Sequence, residues 1–408
     1  MRASPILLVL GLFGTGCDDD ESGVGGGTTG TGTDQATGSS PTGSGPSTTT
    51  TGSGSSSSTG GPLPPDPCIA AGTCPPGEWI NVTPAEMDPS VLAPTPNAFG
   101  PGSIVGDPAR PNEMYVAGSS AGLWKTEDYG NTWFLVNHTL PDIPRGVLIA
   151  VAGTTPATIW IAGHLVVYKS VDAGQTFSEI PVDVDLYSLR IDPYDNDHLV
   201  SGLHEADGLA ESTDGGATWS LVGGAGFPAG GVSWYPFFID TGDAATTRDR
   251  WIAIPQNGGG AVLTTDGGAT WAAPPGLAGL THGHGNCQIH QTGDTLFVAG
   301  TDGPSGNGVY RSTDLGDTWS LADAGNAPQA IVWGTPNNVY SMWAWACSKC
   351  DLGTNFQSSP LPGTSWAPTT HTDQLQIGPN SLVVTSDGTH QIFVGLMWSQ
   401  GLWRYIEP

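Results

Sequence analysis

The chain of 408 residues predicts an all-β domain. The architecture expected is a single seven-bladed β-propeller of four-stranded blades, with an N-terminal strand closing the C-terminal blade. Three observations predict it. One eight-residue phrase recurs at a near-constant period, each copy lies between strand-like runs, and the two ends of the domain carry complementary halves of one further repeat.

The phrase is Ser/Thr-x-Asp-x-Gly-x-Thr-aromatic. It runs from Thr126 to Trp133, Ser170 to Phe177, Ser212 to Trp219, Thr264 to Trp271 and Ser312 to Trp319. Short apolar runs such as Gly122-Leu-Trp-Lys125 precede it, and runs such as Trp219-Ser-Leu-Val222 follow it. Strand, turn, strand is the reading. The Asp accepts hydrogen bonds from turn amides and the Gly takes positive φ. The Thr and the aromatic ring open the returning strand. The five aspartates are Asp128, Asp172, Asp214, Asp266 and Asp314, spaced 44, 42, 52 and 48 residues apart, a period that suits a four-stranded blade. A degenerate sixth copy, Ser359 to Trp366, has Leu361 in place of Asp. A seventh repeat starts at Gly401-Leu-Trp403 and stops at Pro408. Its missing outer strand is expected at Gly77 to Thr83, which would close the ring without an open seam.

The phrase resembles the Asp-box, or BNR repeat, of sialidases and many other propellers. That resemblance implies that the box joins the third and fourth strands on a lower face. Ligands would then be taken on the opposite, upper face, by loops between blades and between second and third strands. A sialidase needs three arginines around a carboxylate. Of the eight arginines, Arg110, Arg248, Arg250, Arg311 and Arg404 fall low, Arg190 ends an inner strand, Arg2 lies in the leader and only Arg145 is placed high. Sialidase chemistry is therefore not expected. Ile191-Asp-Pro193 and Gly106-Asp-Pro108, each some twenty residues ahead of a box, resemble another branch. It holds xyloglucan-cleaving glycosidases, which use two facing propellers and paired Asp residues, and sortilin-like or photosystem-assembly-type binding propellers.

The upper loops supply the candidate site residues. Glu205, Asp207, Asp302 and Asp373 could provide a carboxylate pair for hydrolysis, against the alternative of solvated loop acids. His282, His284 and Cys287 have plausible metal-ligand spacing, and His204 or the Cys347-Ser-Lys-Cys350 pair could join them; the alternative is a disulfide and exposed loop histidines. Trp234, Tyr235, Trp343, Trp345 and Trp398, with His204, His282 and His284, could form a ligand-binding rim, since aromatic rings are flat platforms for sugars or peptide side chains. Packing between blades is the competing role for these rings.

The N-terminus reads as an export segment. Met1-Arg2, an apolar run from Ile6 to Phe13 and Gly14-Thr-Gly-Cys17 make a signal peptide over residues 1–16. The small-residue stretch before Cys resembles a bacterial lipobox, which implies lipidation of Cys17. Residues 17–66 are rich in Gly, Ser, Thr and Pro and read as a disordered tether of about 35–40 Å mean span. Residues 67–408 form the propeller. Outside the cytoplasm disulfides are allowed, and Cys68 and Cys74 are expected to pair. The pairing of Cys287, Cys347 and Cys350 stays open.

The formal net charge is −27 with 11 Lys plus Arg, which leaves no basic footprint for nucleic acid. Membrane contact is expected through the N-terminal lipid alone. The expectation is a lipid-anchored protein of the bacterial cell envelope, monomeric and without a cofactor. It would bind a glycan or protein on the face opposite the boxes. The alternative is a glycoside hydrolase using upper-face carboxylates.

Overall fold

The structure, a computed structural model, describes residues 63–87, 103–118, 122–137, 140, 148–282, 289–324, 330–343, 356–369, 375, 378–397 and 400–408. Seven antiparallel sheets form a ring of blades, a β-propeller. In chain order the blades span residues 103–137, 148–181, 186–222, 235–264, 289–324, 330–368 and 379–406. The seventh takes its outer strand from Trp79–Asn81, with Trp79 opposite Tyr405 and Asn81 opposite Trp403, so the ring closes as expected. Six sheets have four strands; the fourth has three, and its outer strand is reduced to a single bridge between Leu263 and Ala272.

Alternating residues of a strand serve two neighbours. In Thr158–Gly163, Ile159 and Ile161 pack with Tyr115 and Leu123 of blade one, while Trp160 and Ala162 pack with Leu189 and Leu199 of blade three. Both faces are covered, so the strand reads as a continuous apolar run.

The five repeated turns share one hydrogen-bond pattern. In the third, Ser212 Oγ donates to Asp214 Oδ1 (2.8 Å) and accepts from the Gly216 amide (2.9 Å). Asp214 also accepts from the Thr218 amide (2.8 Å) and hydroxyl (2.6 Å); in the four copies that end in Trp the indole adds a bond to the glycine carbonyl, as Trp219 Nε1 does to Gly216 (3.2 Å). The fourth and fifth residues of the phrase are both left-handed, as at Tyr129 (φ 59°) and Gly130 (φ 83°). A Cβ on Gly130 would also stand 2.8 Å from Val394 of blade seven, so glycine is required there twice over.

The cations tie neighbouring blades together on this lower face. A basic side chain of the preceding blade donates to the carbonyl of the fourth residue of the turn at four joints. Lys169 reaches Gly215 (2.8 Å), Arg250 reaches Leu315 (2.7 Å), Arg311 reaches Pro362 (2.8 Å) and Arg404 reaches Tyr129 (3.0 Å). Arg110 joins blade one to the Thr154 carbonyl (3.0 Å), and Arg248 pairs with Asp195 of blade three (3.0 Å).

Ring closure rests on a hook at residues 64–74. Cys68 and Cys74 are disulfide-bonded. Asp66 caps the helical turn Pro67–Ala70 and pairs with Arg404, whose side chain is buried and also donates to Cys68 Sγ (2.8 Å). Tyr129 Oη donates to the Pro64 carbonyl (2.8 Å). The hook thus joins blade seven to the first turn of blade one. Removing one partner of a buried pair costs about 3–5 kcal/mol. Arg404→Met is expected to lower urea stability by about 3 kcal/mol, and adding Asp66→Asn to restore part of it; an unchanged denaturation midpoint in Arg404→Met refutes the seam.

A second joint carries a titratable group. His198 is fully buried between blades three and four, against Phe238 and Trp251, with Nδ1 2.9 Å from Asp192 and Nε2 2.9 Å from Glu211. Both ring nitrogens meet carboxylates, which requires the imidazolium. Burial opposes the charge and Arg248 adds to that opposition, but Asp192 and Glu211 prevail and raise the His198 pKa. The stabilisation is complete below the unfolded value of about 6.5 and is lost as pH rises through the folded value. The melting temperature is expected to fall across that window in the native chain and to be flatter in His198→Gln; equal pH profiles refute the role.

Candidate functional site

The described residues of the upper mouth lie mainly on blades two to five. The within-blade turn Gly163–Val166 presents His164, and the loop Leu203–Leu209 presents His204, Glu205 and Asp207. Asp185 precedes the inner strand Leu186–Asp192, which carries Tyr187.

Asp185 gathers these elements. Its Oδ2 lies 3.0 Å from His164 Nδ1 and 3.2 Å from His204 Nδ1, and its carbonyl accepts from the His204 amide (2.9 Å). Burial works against the charge on Asp185, but the two histidines outweigh it and lower the pKa. His204 Nε2 faces Glu205 Oε1 at 3.8 Å, and its ring lies 5.5 Å from Tyr187. Tyr187 Oη donates to Gln256 of blade four (3.3 Å).

Four non-glycine residues around this mouth are left-handed: Leu165 (φ 55°), Glu205 (φ 48°), Ser233 (φ 52°) and Asp302 (φ 59°). Such conformations cost energy and cluster where loops are held for a purpose. The Glu205 amide is held by Ser233 Oγ (3.2 Å) and the Asp302 amide by Asn307 (3.2 Å). Asp302 Oδ2 accepts from Thr281 Oγ1 (3.1 Å). Glu205, Asp207 and Asp302 are exposed, and Asp207 is engaged by the Gly230 amide (3.0 Å).

Other expected site residues are displaced or lie outside the described residues. Trp234 and Tyr235 are buried, at 0% and 3% exposure, and are not rim platforms. Trp234 Nε1 donates to the Gly231 carbonyl (3.0 Å), and Tyr235 packs against Tyr187 and His282. They fill the joint between blades. His282 is also buried, with Nε2 3.2 Å from the Ser233 carbonyl. Among the described residues no group of three or more His, Cys, Asp or Glu is arranged to hold a metal. Trp343 ends the strand Asn338–Trp343. Cys17, His284, Cys287, Trp345, Cys347, Cys350, Asp373 and Trp398 lie outside the described residues, as does Arg145.

His164, Asp185, Tyr187 and Gln256 were not singled out as site residues by sequence. They come from three separate segments, Asp185 and Tyr187 sharing one, and the placement of blades brings the three together. One further feature decides between ligand classes. Among the described residues no Lys or Arg reaches the upper mouth: the lower-face ties engage Arg110, Lys169, Arg248, Arg250, Arg311 and Arg404, Lys125 pairs with Glu113 and Glu127, and Arg190, near the lower end of its strand, donates to the Leu189 carbonyl.

No family model matches the chain. A xyloglucanase of Paenibacillus sp is 27% identical over 252 residues, which is 55% of this chain and 20% of that protein. The chain therefore spans about a fifth of the length of that relative. The crystal structure of the GH74 xyloglucanase from Xanthomonas campestris superposes with a TM-score of 0.57 at 18% identity, over 80% of this chain and 53% of that one. The structure of YCF48 bound to D1 peptide superposes with a TM-score of 0.52 at 16% identity, over 81% of this chain and 97% of that one. The fold is thus the propeller found in GH74 xyloglucanases and in other propeller proteins.

Proposed function

We propose that the upper mouth engages a neutral β-glucan of the xyloglucan type and that the chain is a glycoside-hydrolase relative acting on it. The observation that carries this reading is the sequence similarity to xyloglucanases over 55% of the chain. The mouth supports it, because carboxylates, imidazoles and the half-buried Tyr187 ring gather there with no described Lys or Arg beside them. Hydrolysis would use two carboxyl groups, one protonating the glycosidic oxygen and one activating water or attacking the sugar. Glu205 and Asp302 are the pair we assign, since both are exposed and both sit on strained, hydrogen-bonded loops. His204, oriented by Asp185, faces Glu205 and would hold it in place. Retention without turnover is the second reading. It is favoured by Asp185 and Asp207, whose carboxylates are already engaged by His164, His204 and the Gly230 amide.

Tamarind xyloglucan is the probe. Release of reducing ends is expected, with Glu205→Gln and Asp302→Asn each lowering kcat by about 100-fold or more. Retention of the polysaccharide with no reducing ends released selects the second reading. No retention and no release overturns both.

We also propose that Cys17 is lipidated and that the protein is held at the bacterial cell envelope. The head begins on the lower face, where Pro64 meets Tyr129, so the upper mouth faces away from the point of attachment. In a bacterial host, a clickable palmitate analogue is expected to label the chain and not its Cys17→Ser variant; label that survives in the variant refutes the anchor.

A further inference from the structure

At the other end of the central channel, on the lower face, blades three, four and five line an open cavity of about 590 Å³. That is within the ordinary size range of small-ligand pockets. Its walls come from the lower halves of inner strands and its rim from the turns beyond them. Arg190, Ile191, Phe237 and Gln291 are half-buried in the wall, while Asp240 and Asp294 are exposed at the rim. None of these residues takes part in the upper mouth.

The polar groups are already fixed. Arg190 Nη1 donates to the Leu189 carbonyl (2.8 Å). Gln291 Nε2 donates to the Asp240 carbonyl (2.6 Å), and Gln291 Oε1 accepts from the Asp240 amide (3.0 Å). The Asp240 carboxylate accepts from Tyr194 Oη (2.9 Å) and the Gly242 amide (2.8 Å). Preorganised groups bind without a large ordering cost.

We propose that this cavity is a second saccharide site, taking a neutral mono- or disaccharide unit. Gln291 Nε2 spends its second proton on the Gly293 carbonyl (3.0 Å), so the Arg190 guanidinium is the donor and the Asp240 and Asp294 carboxylates with Gln291 Oε1 are the acceptors offered to the adjacent hydroxyls of a sugar. The Phe237 ring and Ile191 offer an apolar wall for its C–H face. One Arg against two Asp disfavours an acidic sugar. The site is separate from the upper mouth and does not depend on the proposal made for it.

The test is isothermal titration of the full chain with cellobiose and, separately, with glucuronic acid. Cellobiose is expected to bind, and Arg190→Gln and Asp294→Asn are each expected to weaken it at least tenfold with the melting temperature unchanged. His204→Ala, on the upper mouth, is expected to leave this binding intact, and glucuronic acid to bind at least tenfold more weakly than cellobiose. Cellobiose binding lost in His204→Ala and kept in Arg190→Gln overturns the lower site and leaves the upper reading standing. No cellobiose binding at millimolar concentration also overturns it, whatever xyloglucan does at the upper mouth. Because Arg190 is half-buried, Asp294→Asn at the exposed rim keeps the test decisive if Arg190→Gln fails to fold.

Discussion

A carboxylate holding two consecutive left-handed residues is the interaction on which the ring depends. At Tyr129, Ala173 and Leu315 the first of those residues carries a side chain, at a cost of about 1–2 kcal/mol each. The aspartate two positions after the opening Ser or Thr offsets that cost with hydrogen bonds from a hydroxyl, an amide and a second hydroxyl, each worth about 1 kcal/mol net. Acid pKa values follow from the same bonds: Asp214 and Asp266 are lowered first of all by their threonine hydroxyls. Once the turn is set, its fourth carbonyl meets the base of the preceding blade, and local geometry becomes a tie between blades. The sixth copy shows the limit of substitution. Leu361 supplies no carboxylate, so the Ser365 amide, whose counterpart at Thr218 donates to the aspartate, donates to Ser359 Oγ (3.0 Å), while Arg311 still reaches Pro362. Two prolines, Pro360 and Pro362, restrict φ where the aspartate is missing.

The seam between first and last blades reuses that geometry with a covalent addition. Arg404 occupies the position that Lys169 and Arg311 hold in their own blades, directly ahead of where a turn would begin. The strand Gly401–Ile406 carries it without such a turn. Arg404 instead reaches across to Tyr129 and back to Asp66, so a residue written for a repeat becomes the closure of the ring. The disulfide joins residues only six apart and so removes little chain entropy. Its contribution is to hold Asp66 where the arginine can be paired while out of water.

How far the fold could be read depended on whether each feature was repeated. Blade number, the N-terminal strand, the Cys68–Cys74 pair and the low placement of the arginines were legible, because period and spacing carry them. The reduced outer strand of blade four was not expected, although its cause is plain in Ala272-Ala-Pro-Pro275: prolines cannot donate to a ladder. Trp234 and Tyr235 misled because an indole needs only one partner, and Gly231, three residues back, supplies it as Gly216 does for Trp219. An aromatic pair at the start of a blade looks the same in sequence whether it faces solvent or a neighbour. Asp185 and His164 carried no local signal. Their meeting depends on two blades packing side by side, and that is set by the apolar faces, not by the residues that meet.

The division of charge between the two faces bears most on the ligand. A net charge of −27 acts at long range, but salt screens it beyond about 8–10 Å, so recognition is decided by the groups within reach. On the lower face the bases are committed to backbone carbonyls and carboxylates that hold the blades. Moving one to the upper mouth would cost a joint, so the ring's cohesion and an anion-binding mouth compete for the few cations in the chain. An acidic sugar would meet Asp185, Glu205 and Asp302 with no described Lys or Arg among them. A neutral polyol meets the same groups as hydrogen-bond acceptors and finds the half-buried Tyr187 ring beside them. The six bases that clamp the blades therefore shape the upper mouth as much as any feature of the mouth itself, because each is held at the opposite face.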